Sequence, residues 1–261
     1  MLLVIDVGNT QTVIGLYDAG DRSHQLVDHW RLATRAERTS DELALFIRHL
    51  LATRDLDLAQ DIRGVAVSSG VPSITFELRR MCERYLQVEP VILGTGVKTG
   101  MPVLYDNPRE VGADRIANAV GAYDLYGGPT IVVDFGTATT FDVISDKGEY
   151  LGGAIFPGIE ISMDALFGRA AALRRVELVE PRSVIGKTTM ESVQSGAVYG
   201  YSAMVDGMCD RIEDELGEST IIATGGLASL IAPIADSIEH EEPWLTLHGL
   251  RLIWEKNQTR D

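Results

Sequence analysis

A strand that ends in Asp-x-Gly and continues into threonine occurs twice in this chain, half a chain apart. The first copy is Leu2-Leu3-Val4-Ile5-Asp6-Val7-Gly8-Asn9-Thr10. The second is Thr130-Ile131-Val132-Val133-Asp134-Phe135-Gly136-Thr137-Ala138-Thr139-Thr140. An apolar β-prone run closed by Asp and Gly reads as a buried strand entering a tight turn. Each copy then runs into another strand-like stretch, Val13–Tyr17 and Phe141–Ile144. The glycine lets backbone N–H groups approach an anion closely, and the hydroxyls add donors. An aspartate at the strand end can hold a cation, directly or through water. Two such hairpins facing each other would hold a nucleotide–metal complex from both sides, which points to a phosphotransferase with duplicated halves.

With 261 residues the chain suits one large domain or two of half that size, given about 100–200 residues per domain. Its hydrophobic content of 45% and charged content of 23% are ordinary for a soluble globular protein. A formal net charge of −15 argues against a nucleic-acid surface, which needs clustered Lys and Arg to neutralise phosphates. Cys82 and Cys209 have no paired spacing, so two reduced cysteines without a catalytic role are expected. The apolar start is broken at Asp6 with no preceding Lys or Arg, so no signal peptide is expected. No stretch approaches the about 18–20 apolar residues of a membrane span, and a cytoplasmic location follows.

The pattern along the chain predicts a three-strand antiparallel meander over residues 1–35, with Asp18-Ala19-Gly20-Asp21 as a turn. Thr39 and Glu42 predict a capped helix with Leu43, Phe46, Ile47, Leu50 and Leu51 at helical spacing. A strand over Ile62–Ser69, a helix from Val71-Pro72 and a short strand at Pro90–Leu93 follow. The second half repeats the opening with strands over Thr130–Val133, Thr139–Ser145 and Tyr150–Phe156, then a helix after Gly158. A long helix is expected over Thr189–Glu215, a strand over Ile221–Ala223, a short strand at Leu245-Thr246-Leu247 and a closing helix over Gly249–Lys256. The fold class is therefore α/β: duplicated actin-like ATPase domains of the ribonuclease-H-like kind, with mixed five-stranded sheets and the nucleotide cleft between them. The division is set at 1–115, carrying the first phosphate loop, and 116–261, carrying the second loop.

No G-x-x-x-x-G-K-[ST] loop is present. A third glycine turn, Thr224-Gly225-Gly226-Leu227, falls where a strand meets a helix and suits an adenine or ribose contact. Between the halves lies Tyr105-Asp106-Asn107-Pro108-Arg109-Glu110-Val111-Gly112-Ala113-Asp114-Arg115. Asn107 with Pro108 and Glu110 is a helix-start signal, a structural duty. Asp114 and Arg115 follow the small Gly112 and Ala113 and open an amphipathic run. They offer a proton acceptor beside an anion clamp, or simply a surface ion pair. Thr188 and Thr189 read either as a capped helix start or as hydroxyls that close over a polar substrate.

These segments, with Leu245–Leu250, resemble the type III pantothenate kinases of the acetate-kinase/sugar-kinase/Hsp70/actin superfamily, in the same order and over nearly the whole chain. The resemblance implies ATP-dependent phosphorylation of pantothenate to 4'-phosphopantothenate, the first step of coenzyme A biosynthesis. It implies that Asp6, Val7, Gly8, Asn9, Thr10, Gln11, Thr12 and Val13 form the first ATP loop, and that Thr137 contacts ATP from the second. Tyr105, Gly112, Ala113, Asp114, Arg115 and Thr189 would bind pantothenate, with Asp114 as the proton acceptor. Asp134 would hold a monovalent cation, K+ or NH4+, and Mg2+ would arrive with ATP, with Asp6 as an outer-shell contact. A homodimer is also implied, with the dimer contacts in residues 116–261 and the substrate pocket partly formed across the interface.

Two positions depart from the family pattern: Thr188, where Asn is common, and His248, where an acid is common. Two other readings stand beside the kinase: a non-catalytic accessory relative with the same fold, and a kinase for another small hydroxylated substrate. Intact Asp6, Asp114, Asp134 and Thr137 weigh against the first, and the Gly-Ala-Asp-Arg segment against the second.

Overall fold

The computed structural model describes residues 1–18, 25–170 and 173–258. Of the turn expected at Asp18–Asp21, all but Asp18 lies outside the described residues. The chain divides into two compact units. One comprises Met1–Met101, Asp106–Gly121 and Thr246–Asp261, the other Pro102–Tyr105 and Ala122–Leu245.

In the first unit, β1 (Leu2–Val7), β2 (Gln11–Tyr17) and β3 (Leu26–Ala33) form the antiparallel meander. Helix α1 (Ser40–Ala52) follows, started by the reciprocal capping box of Thr39 and Glu42. A short α2 (Leu58–Asp61), capped by Asp57, leads to β4 (Gly64–Ser69), which runs parallel to β1. Pro72 opens α3 (Pro72–Met81), where the missing N–H would have had no helical partner. A π turn over Cys82–Leu86 precedes β5 (Val91–Ile92), and the sheet order is β3-β2-β1-β4-β5. Leu3, Ile5, Val7, Val65 and Val67 form one buried core with Leu43, Ile47, Ile74 and Leu78 of α1 and α3. Each such side chain stabilises the fold by roughly 1.5–3 kcal/mol when fully buried.

Helix α4 (Ala113–Tyr126) begins in the first unit and ends in the second, so the division expected at 115/116 falls inside one helix. The second meander is β6 (Thr130–Phe135), β7 (Ala138–Ile144) and β8 (Tyr150–Pro157). Then come α5 (Ile159–Arg169), the long α6 (Thr189–Leu216), and β9 (Thr220–Thr224) parallel to β6. A four-residue α7 (Ala228–Ile231), β10 (His240–Glu241) and α8 (Leu245–Lys256) complete the described elements. The order β10-β9-β6-β7-β8 is that of the first sheet read from its other edge. The duplication extends to detail: a register shift falls between the last two residues of the middle meander strand in both units, at Leu16/Tyr17 and Val143/Ile144.

One expected element is corrected. Leu245-Thr246-Leu247 is the first turn of α8 rather than a strand. Leu247, Leu250 and Ile253 are buried at helical spacing, and the Leu-Thr-Leu alternation is incidental to that face. The closing strand is His240–Glu241 instead, whose exposed polar residues carry no strand signal. The start signal at Asn107 produces a single 3-10 turn, Pro108–Glu110, because Val111 is extended (ψ 124°) and ends it.

Helix α8 belongs to the first unit and covers the sheet face opposite α1 and α3. Trp254 lies over Gly64 and Leu247 over Gly15 where any β-carbon would collide. Gly249 presses on the backbone of Ala117 in α4, and Thr246 Oγ1 donates to Asn118 Oδ1 at 2.6 Å. Among the described residues no helix is long and apolar enough to cross a membrane.

Candidate active site

The pairing of β1 with β2 closes at Val7 and Thr12 and leaves Gly8, Asn9, Thr10 and Gln11 as the first loop. The Gly8 N–H donates to the Gln11 carbonyl at 3.0 Å, which folds the loop tightly. Asn9, Thr10 and Gln11 are exposed at its tip, Val7 and Thr12 are buried beneath, and Asp6 and Val13 are half-buried neighbours across the strands. Thr34, a residue that the sequence pattern did not single out, secures the loop from the end of β3. Its N–H donates to the Thr10 carbonyl at 2.9 Å, its hydroxyl donates to the Gly8 carbonyl at 2.8 Å, and it meets the Thr12 hydroxyl at 2.8 Å. The available signal was strand register, since Ala33 pairs with Gln11.

In the same unit, α4 starts at Gly112, whose carbonyl accepts the first helical N–H from Ile116 at 3.2 Å. A β-carbon at Gly112 would overlap Asp114 Oδ1, so only glycine lets this carboxylate fold back at the helix start. Asp114 is exposed and accepts the Arg115 N–H at 2.9 Å, while Arg115 itself is buried. An acid in the first helical turn is favoured by the helix dipole. Asn107 and Glu110 bond one another at 2.7 Å and serve the preceding turn.

The second loop, in the second unit, follows the same plan. Phe135 pairs with Thr139, and Gly136, Thr137 and Ala138 bridge them. The Gly136 N–H donates to the Ala138 carbonyl at 3.0 Å, and the Gly158 N–H, at the end of β8, donates to the Thr137 carbonyl at 3.1 Å. Thr137 is exposed, and Asp134 is half-buried. A β-carbon at Gly136 would stand 3.4 Å from Asp134 Oδ1, and one at Gly225 would overlap that oxygen. Gly225 also has φ of +95°, a conformation that strains any L side chain. The aspartate carboxylate is thus enclosed by two glycine turns, one following each strand of the parallel β6–β9 pair.

Tyr105 belongs to the second unit, so the segment Tyr105–Arg115 is shared between the units. Backbone bonds of 2.8 Å, Leu104 N–H to Tyr150 O and Tyr150 N–H to Pro102 O, hold it at the start of β8. A β-carbon at Gly152 would stand 3.5 Å from the Tyr105 ring, which tilts against Tyr150 at 6.5 Å. Tyr150 in turn donates its hydroxyl to the buried Asp142 at 2.8 Å. Thr189, exposed, is the first residue of α6 in that unit, and Thr188 is its cap, accepting the Glu191 N–H at 3.1 Å. Arg182 and the Lys187 N–H hold the Glu191 carboxyl below its usual range, the arginine contributing more, and so fix the loop that leads to Thr189. No hydrogen bond or ring contact among the described residues joins Thr189 to Tyr105. Cys82 and Cys209 are free and buried, and burial pushes both thiols up to about 12, so neither supplies a nucleophile.

Two five-stranded mixed sheets of identical strand order, each ending a central strand in an aspartate beside a glycine turn, define a duplicated actin-like ATPase fold. Solved structures agree at the level of fold. A polyphosphate/ATP-glucomannokinase from an Arthrobacter species matches with a TM-score of 0.53 at 14% identity, covering 98% of this chain and 99% of that one. A Baf family protein from Campylobacter jejuni, described as a transcriptional activator, matches with a TM-score of 0.61 at 19% identity and 98% coverage of both.

The sequence itself narrows this to a family. Residues 2–211 match the model of the type III pantothenate kinases. Type III pantothenate kinases of Streptomyces griseus and Myxococcus xanthus are 53% and 54% identical to the chain. The first match covers 100% of both sequences, the second 98% of this chain and 99% of that one. The chain belongs to the type III pantothenate kinase family. It is a kinase that phosphorylates pantothenate in coenzyme A biosynthesis.

Proposed function

We propose that the phosphoryl group passes from ATP to the primary hydroxyl of pantothenate with Asp114 as the proton acceptor. The observation that carries this reading is the geometry of Gly112 and Asp114, a glycine that makes room for an exposed carboxylate at a helix start. Phosphoryl transfer passes through a loose transition state, so the protein's work is chiefly positioning and charge stabilisation. Asp114 orients the hydroxyl and takes its proton late, as the oxygen becomes bonded to phosphorus. The buried Arg115 offers its charge at the same helix turn, suited to the carboxylate of pantothenate.

In this reading the loop Asp6–Val13 binds the ATP phosphates, through the N–H groups and hydroxyls exposed at Asn9, Thr10 and Gln11. Thr137 supplies a further hydroxyl to ATP. The Thr224–Leu227 turn receives the nucleoside, and Tyr105, Gly112, Ala113 and Thr189 bind pantothenate. Asp6 offers one carboxylate, which suits a Mg2+ ion that comes with ATP and keeps several waters. Asp134 and the carbonyl-rich glycine turns around it are the oxygen donors that a hard monovalent cation takes, K+ or NH4+. Such an ion would offset negative charge near the phosphates.

The protein acts as a cytoplasmic homodimer. Supporting that assembly, Ile155 and Phe156 of β8, Ile161 of α5, and Val184, Ile185 and Met190 at the start of α6 are exposed. The Phe156 ring packs edge-on to Tyr201 of α6 at 5.8 Å, and Ser195 bonds the Val184 carbonyl, so these segments are neighbours. Large exposed apolar patches on soluble proteins commonly mark interaction surfaces.

The test of the catalytic assignment is Asp114→Asn. Turnover should fall by roughly 10²–10⁴-fold, the contribution of a general base. The melting temperature should hold, because the carboxylate is exposed and the hydrogen bond it accepts comes from the N–H of the adjacent Arg115. Undiminished turnover would remove Asp114 from the mechanism.

A further inference from the structure

Beside Asp6 in the first unit lies a hydroxyl that the fold does not use. Ser68, at the end of β4, is in direct parallel register with Asp6 of β1, so the two side chains stand on the same face of the sheet, one strand spacing apart. It is 1% exposed, and among the described residues its hydroxyl has no hydrogen-bond partner. Buried hydroxyls are almost always bonded, and one left without a partner costs stability.

The duplicated unit shows what the same position does when its duty is structural. Asp134 of β6 is in register with Thr224 of β9, just as Asp6 is with Ser68. The Thr224 hydroxyl donates to the Glu242 carbonyl at 2.7 Å and so anchors the chain before α8. In the first unit the same position keeps a hydroxyl, and that hydroxyl forms no such anchor.

Resting on the reading of Asp6–Val13 as the ATP phosphate loop, we infer that Ser68 is a further binding residue of that loop, whose hydroxyl takes its missing hydrogen bond from the metal–triphosphate complex seated beside Asp6. A phosphate oxygen would accept the O–H, and a water of the hydrated metal ion would donate to the oxygen. Either bond satisfies a group that the protein without nucleotide leaves wanting. A hydrogen bond left unmade in the empty protein becomes affinity for the ligand that supplies it.

This role and a structural role predict opposite signs. In Ser68→Ala a buried orphan hydroxyl becomes a methyl of similar size, so the nucleotide-free protein should melt at or above the wild-type temperature. The dissociation constant for Mg-ATP, read by calorimetry, should rise by about five- to tenfold, the worth of one hydrogen bond. Ser68→Thr should restore most of that affinity. A control in the sister position, Thr224→Val, should melt lower, because it loses a bond that is made.

A lower melting temperature for Ser68→Ala, or unchanged Mg-ATP affinity, would overturn the inference. Asp6→Asn separates the two layers of the argument. If it weakens Mg-ATP binding while Ser68→Ala does not, only the Ser68 assignment fails. If neither weakens it, the loop is not the phosphate site and both fail.

Discussion

Gly112 and Gly225 solve one problem in two places: each gives up a β-carbon so that an aspartate carboxylate can occupy the space, Asp114 in one unit and Asp134 in the other. A search for charged residues alone would find the acids and miss why they can sit there. Asp134 carries the prediction at this scale. Replacing potassium and ammonium by sodium should collapse activity in steady-state assays, and Asp134→Asn should lose the response to potassium. Equal activity in sodium would contradict the cation assignment. Sequence made the Asp-x-Gly turns legible because the signal is local, an apolar run closed by two turn-forming residues. It did not reveal Thr34, Gly158 or Ser68. These act on the loops through strand register and chain return, from positions far away in sequence.

Among the elements, α4 owes its placement to α8. Gly249 meets the backbone of Ala117, and Thr246 bonds Asn118, so the last helix of the chain fixes the helix that begins with Asp114. Gly249→Ala would push a methyl into a main-chain carbonyl. Overpacking of this kind costs about 1–3 kcal/mol. The variant should melt several degrees lower by calorimetry and lose turnover with it, as α4 moves. Wild-type stability in that variant would show the two helices to be less closely seated than the structure has them. Long elements were legible from periodicity and caps, as with the Thr39 and Glu42 box of α1. Short ones were not: α2 spans Leu58–Asp61 and β10 only His240–Glu241, too few residues for any period to register. Leu245–Leu247 misled because two leucines around a threonine fit a strand and a helix equally well.

At the scale of the whole molecule, duplication was the most legible property, because it repeats strand order, strand length and even the position of the register shift. The unit boundaries were less so. Helix α4 runs through the expected division, and α8 returns to the first unit, a long-range arrangement that no local composition change marks. Assembly belongs to this scale too. Sedimentation of the wild type should give a dimer, and Ile185→Glu, which puts a charge on an exposed apolar position, should give monomers with weakened pantothenate binding. A monomeric wild type at micromolar concentration would contradict the dimer.

The most direct test of the account is ADP release by the purified protein with Mg-ATP and potassium, with and without pantothenate. The account predicts release that depends on pantothenate, with phosphopantothenate identified by mass. ATP binding without pantothenate-dependent release would contradict it and point to the accessory role or to another acceptor.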